Sequence, residues 1–111
     1  MTYSRWDVVA VVFPFLEGDQ AKHRPALIVS SERLHEMHEL YWVAMIKTAK
    51  AGMREEDILI ANAELAGLPE SCVIRVSRLT TLSDRQILRR LGSVSPKQRN
   101  AVQALLRRYA P

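Results

Sequence analysis

Apolar residues crowd the first stretch of the chain that carries structure, "DVVAVVFPF". Val8, Val9, Val11, Val12 and Phe13 suit a strand buried on both faces, so Asp7 to Phe15 is expected to be extended, with Pro14 marking its end. A polar loop from Leu16 to His23 follows, and "ALIVS", Ala26 to Ser30, reads as a second short strand. Residues Ser31 to Glu39 are mixed, and Ser31 as a cap with Leu34 and Met37 three apart predicts one or two helical turns. "LYWVAMI", Leu40 to Ile46, predicts a third strand leading into Lys47 and Thr48. "KTAKAGMREED" has the composition of an exposed loop, "DILI" at Asp57 to Ile60 predicts a fourth strand, and "AELAGLPES" a turn region. Cys72 to Val76 predicts a fifth strand, which "RLTTL" continues or leaves by a turn.

Two helix signals close the chain. Ser83 with Gln86 three residues later is a capping-box pattern, Ile87, Leu88 and Leu91 form an apolar stripe, and Gly92 is placed to end a short helix. Ser95, Pro96 and Gln98 open a second one, in which Val102, Leu105, Leu106 and Tyr109 recur at helical spacing and predict a face packed on the sheet. With 111 residues and no repeat, linker or low-complexity segment, residues 1–111 are expected to form one mainly β domain with a C-terminal helix.

Composition changes this picture little, and charge changes it more. The hydrophobic fraction of 48% and charged fraction of 25% are those of an ordinary globular protein, and no segment approaches the ~20 apolar residues of a membrane span. Net charge is +4, but residues 1–70 carry seven Lys and Arg against eleven Asp and Glu, whereas residues 71–111 carry nine against one. A strongly basic C-terminal part points to an anionic partner. The lone Cys72, which has no partner for an internal disulfide, favours a reducing cytoplasm.

Candidate chemistry is sparse. His35 and His38 beside Glu32, Glu36 and Glu39 superficially resemble a metal cluster, yet no further Cys or His supplies the spacing of a zinc site, and no metal or other cofactor is expected. Phosphate-cradling glycine loops, nucleophile elbows and dinucleotide fingerprints are absent as well. What remains is Arg24 before Pro25, a hydroxyl at Thr48 beside Lys47, and the basic C-terminal part. Pro25 fixes its own φ and drives Arg24 toward an extended backbone, which limits the directions its guanidinium can take and suits anion recognition.

The order "DVVAVVFPF", loop, "KHRPALIVS", "WVAMIKTAK", "RVSRLTTL" and "RRLGSVS" resembles the MazF/PemK family of bacterial toxin–antitoxin toxins, from Arg5 to the last helix. The resemblance implies a small SH3-like barrel of the MazF/PemK/CcdB type, a homodimer, and a metal-independent endoribonuclease that cuts single-stranded RNA by attack of the RNA's own 2′-OH. It assigns Arg24 to the scissile phosphate and places Thr48 where a catalytic serine is usual. Lys47 stands where the family has threonine, and Trp6 where it has glycine. Lys47 is then a candidate phosphate donor, Lys22, His23, Arg75 and Arg78 candidate RNA contacts, and a cognate antitoxin with an acidic segment the expected partner in a bacterial cytoplasm. Two other readings stay open: a weak or inactive relative that binds RNA or antitoxin without cutting, for which Lys47 is the support, and a CcdB-like gyrase inhibitor.

Overall fold

The computed structural model describes residues 2–12 and 23–111. The expected end of the first strand at residues 13–15, most of the loop that follows it and Lys22 lie outside the described residues. Six strands form one antiparallel sheet: β1 (Asp7–Val12), β2 (His23–Ile28), β3 (Leu40–Thr48), β4 (Ile58–Ile60), β5 (Cys72–Ser83) and β6 (Ile87–Ser93), in the order β4-β5-β3-β2-β1-β6. Helix α1 (Glu32–His38) joins β2 to β3, and α2 (Pro96–Tyr109) closes the chain. Among the described residues no helix is long and apolar enough to cross a membrane.

The strands are apolar on both faces because each face supports a core. Val8, Leu27, Val29, Ala44, Ile46, Ile74 and Val76 belong to one cluster, which also takes Val102 and Leu105 of α2. Their immediate neighbours Val9, Ala26, Ile28 and Val43 belong to a second, together with Tyr41. Adjacent residues of a strand point to opposite sides, so the valine-rich runs read as continuous where a one-sided sheet would alternate. The start of α2 is as expected: Pro96 occupies the first turn, and the Ser95 hydroxyl meets the Gln98 side-chain oxygen.

The helix expected over 83–92 is instead a strand. Ser83 and Gln86 do make the reciprocal pattern, with the Ser83 N–H donating to Gln86 Oε1 at 2.8 Å, but the helical turn spans only Asp84–Gln86. Beyond it the chain pairs with β1, Val11 opposite Ile87 and Val9 opposite Arg90, with two register shifts. Those shifts let Ile87 join one core and Leu91 pack against the other, although their spacing of four mimics a helical stripe. Pairing the free edge of β1 overrides a modest local preference.

The barrel expected from the resemblance is an open sheet whose outer strands β4 and β6 form no ladder with each other. Two features bend it toward closure. Between Leu79, opposite Ala44, and Arg75, opposite Met45, β5 carries three residues without partners on β3, a large bulge that turns the strand. On the far side, the turn that follows β4 lies directly against β6: the Ser93 N–H donates to the Leu65 carbonyl at 3.2 Å. Gly67, at φ +71°, and Gly92 permit this approach. A Cβ on Gly67 would fall 2.0 Å from the Leu91 carbonyl oxygen, and one on Gly92 2.3 Å from that of Leu65.

Trp6 adopts φ 76°, a left-handed conformation that glycine takes freely and tryptophan takes at a cost. Its ring packs against the larger core and carries the Arg5 guanidinium 4.5 Å from its centroid, so packing is its observed role.

Candidate functional site

Pro25 explains why a cavity exists at all. β2 pairs with β1 from His23 onward, but its ladder with β3 begins only at Ala26, opposite Met45. Proline has no N–H to give to β3, so the two strands part there and leave a fork between their ends. The fork holds a cavity of about 220 Å³. Arg24 and Pro25 form one wall, Lys47 and Thr48 the other, Ile46 and Cys72 the floor, and Ala51 the outer lip.

The register answers the question raised by Lys47 and Thr48. The pleat sets Thr48 on the face of Ile46, a core residue, and Lys47 on the opposite face. Both still reach the cavity, because β3 ends at Thr48 and gives way to a single 3-10 turn, Ala49–Ala51. Arg24, Lys47 and Thr48 are therefore brought together at one cavity.

The electrostatics of this fork favour an anion. Among the described residues two cations line it and no carboxylate does. Arg24 Nε is buried and has no hydrogen-bond partner among the described residues. An unsatisfied buried donor costs about 1–3 kcal/mol, a cost that an incoming acceptor relieves. Burial pushes the Cys72 thiol up from its ordinary pKa, with the Glu70 charge adding to the shift, so the floor of the cavity is a neutral thiol at physiological pH.

The other expected RNA contacts divide. His23 is exposed at the start of β2, and Arg78 is exposed on the β5 bulge; neither lines the cavity. Arg75 is placed inside the protein, away from the cavity lining. Its side chain is only 5% exposed and is paired with Asp57, itself 3% exposed, at 2.8 Å. The hydrogen bond from Arg75 holds the Asp57 carboxyl below the usual carboxylate range, against the opposing effect of burial. Because the native pKa is depressed, the pair's stabilisation is fully present above the ordinary carboxylate value and is lost as pH falls through the native one. Asp57 was missed in the sequence, yet a signal existed: an arginine inside "CVIRVS", between residues that a core must bury, requires a buried carboxylate.

A larger groove of about 660 Å³ lies elsewhere, over α1, β3 and α2. Trp42, Leu79, Leu34, Met37 and Leu106 make it apolar, with Arg5, Arg33 and Arg107 among its lining. Size favours this groove and chemistry the smaller fork, where an arginine meets a second cation and a hydroxyl. His35, on the other side of α1, donates from Nε2 to the Asp84 carboxylate at 2.9 Å and stacks on Tyr41 at 4.7 Å, which fastens α1 to the β5–β6 turn.

Residues 4–110 match the family described as PemK-like, MazF-like toxin of type II toxin-antitoxin system. The chain belongs to that family. Comparison with curated protein sequences gives no match. Among solved structures, MazF from Deinococcus radiodurans superposes with a TM-score of 0.77 at 19% identity, over 98% of this chain and 96% of that one. An endoribonuclease in complex with its cognate antitoxin from Mycobacterial species gives 0.71 at 16% identity, over 94% and 88%. Mycobacterium tuberculosis toxin MazF-mt6 gives 0.69 at 19%, over 88% and 89%. At these identities the likeness is one of fold.

Proposed function

We propose that this toxin is an endoribonuclease that cuts single-stranded RNA without a metal, in the cytoplasm of its host, and is held in check by a cognate antitoxin with an acidic segment. The observation that carries the reading is the fork itself, where Lys47, Thr48 and Arg24, whose Nε has no partner among the described residues, converge. The 2′-oxygen attacks the adjacent phosphorus, its proton leaves to a base, the P–O5′ bond breaks, and the departing oxygen takes up a proton. The products are a 2′,3′-cyclic phosphate and a 5′-hydroxyl. Arg24 bears the charge that grows on the non-bridging oxygens, and its fixed fork orients the phosphate. Thr48 adds a hydroxyl to the same group, and Lys47 a second cation. His23, Arg78 and Lys22 contact the flanking RNA. The test is incubation of a long single-stranded RNA with the protein in excess EDTA, with the ends mapped: discrete cuts bearing 5′-hydroxyls are expected, and intact RNA overturns the reading.

Lys47 makes a separable contribution. Lys47→Ala is expected to weaken binding of an uncleavable 2′-deoxy-substituted RNA by about 10-fold at low salt, the size of one charge-assisted contact, and to flatten the dependence of log affinity on log salt by about one unit. An unchanged slope would remove Lys47 from the RNA.

The apolar groove is read as the face on which two copies of this chain pair. α1 buries none of its residues, while Trp42 is 49%, Met37 62% and Leu79 45% exposed. Glu32 and Glu36 on α1 lie beside Arg33, a charge pattern that a two-fold axis can make self-complementary. Light scattering is expected to give twice 12.6 kDa for the native chain and the single mass for Trp42→Glu; a native monomer would discard the pairing.

A further inference from the structure

Arg75 and Asp57 stand outside the cavity, and their geometry reaches its wall. Arg75 Nε donates to Asp57 Oδ1 at 3.1 Å and Nη2 to Oδ2 at 2.8 Å. The same Nη2 donates to the carbonyl of Gly52 at 3.4 Å, one residue beyond Ala51 at the lip. Asp57 Oδ2 in turn accepts from the Arg54 N–H at 2.8 Å, and the Asp57 N–H donates to the Arg54 carbonyl at 3.1 Å. One guanidinium thus grips residues 52, 54 and 57 of the β3–β4 connection, directly or through one carboxylate. At its other end, Arg75 is fixed within β5 between Ile74 and Val76, opposite Met45 of β3.

We infer that the buried Arg75–Asp57 pair is a positioning device for the catalytic fork: it holds the segment 49–57 against β5 and so keeps Ala51 at the lip, which confines the substrate phosphate between Arg24 and Thr48, itself placed by the β3–β5 ladder. A buried ion pair adds little net stability and is often replaceable by apolar residues, whereas its bidentate geometry fixes direction closely. The loop has few other anchors. The Ala49 N–H donates to the Ser71 carbonyl at 2.9 Å near the β3 end, and the bonds from Tyr109 and Arg108 to Glu56 are exposed and correspondingly weak. Gly52, at φ +97° with no atom near its Cβ position, offers no packing of its own. Arg75 is therefore a positioning residue whose charge is spent within the protein, and it takes no part in neutralising RNA phosphates. This rests on the reading of the fork as an RNA site.

The test uses the full chain with Asp57→Asn, which keeps an oxygen for the Arg54 N–H and loses the charge, Arg75→Lys, and the double variant Arg75→Met/Asp57→Leu, which leaves no unpaired buried charge. Three quantities are read: hydrogen exchange of residues 49–57 without RNA, kcat and KM for cleavage, and the salt dependence of binding to uncleavable RNA. Exchange in 49–57 is expected to rise at least 10-fold while that of β1 and β2 holds. kcat is expected to fall by about 10- to 100-fold, the effect of displacing a reacting group by about 1 Å, with KM changed less than about 3-fold and the salt slope unchanged. A slope flattened by about one unit in the double variant, which removes the cation, would make Arg75 a direct phosphate contact and overturn the inference. Unchanged exchange, or a loosened loop with native kcat, would overturn it too. If the native chain binds RNA without cutting it, the nuclease reading fails separately, and exchange together with RNA affinity still decides whether the pair anchors the site.

Discussion

Arg24→Ala is expected to lower the single-turnover cleavage rate by about 10²- to 10³-fold, the range seen when one preorganised donor to a developing oxyanion is removed. Its stability should move the other way or not at all. The Nε that is deleted is a buried donor with no partner among the described residues, so its loss removes an unsatisfied group and leaves no orphaned acceptor behind. A residue that serves the fold would show the opposite pair of effects. Arg24→Lys retains the charge but not the planar fork, and should recover only part of the rate. The measurement is cleavage under enzyme excess beside a urea unfolding curve for each variant. A large rate loss at an unchanged or raised midpoint assigns Arg24 to the reaction. Full cleavage by Arg24→Ala would remove the phosphate role and, with it, the mechanism drawn from the fork.

Why Arg24 stands out in the sequence while the pairing of Arg75 does not is a matter of which constraints are local. Arg24 is defined by its neighbour: Pro25 both extends the backbone before it and ends the β2–β3 ladder, so one dipeptide creates the cation and the cleft it faces. Lys47 and Thr48 follow from where the apolar run of β3 gives out. The role of Arg75 depends on Asp57, 18 positions away, and no spacing rule announces a pair made across two strands. The helix expected over 83–92 failed for a related reason. Ser83 and Gln86 made their local bonds, but β1 offered a free edge, and two register shifts let Ile87 and Leu91 face opposite cores. The valine-rich first strand and the C-terminal helix were legible because burial on both faces and a 3.6-residue period leave their mark in the residues themselves.

The seam between β6 and the turn after β4 should carry the largest stability effect of a single methyl group. In Gly67→Ala the new Cβ would lie 2.0 Å from the Leu91 carbonyl oxygen and 2.6 Å from its carbon, both backbone atoms that no rotamer change can move. The positive φ of +71° adds strain, and together the two are expected to cost about 3–4 kcal/mol. The chain contains the controls that separate these causes. Gly92→Ala meets the Leu65 carbonyl oxygen at 2.3 Å without a left-handed backbone, and should cost about 2–3 kcal/mol from overpacking. Gly52→Ala sits at φ +97° with nothing within 4 Å, and should cost about 1–2 kcal/mol from conformation alone. Urea unfolding with a shared m-value reads all three. The order Gly67, Gly92, Gly52 would establish that contact between the two backbones holds this side of the open sheet. Equal losses at Gly67 and Gly52 with none at Gly92 would mean that only local conformation is at stake, and that the sheet draws its curvature from the β5 bulge instead of from this seam.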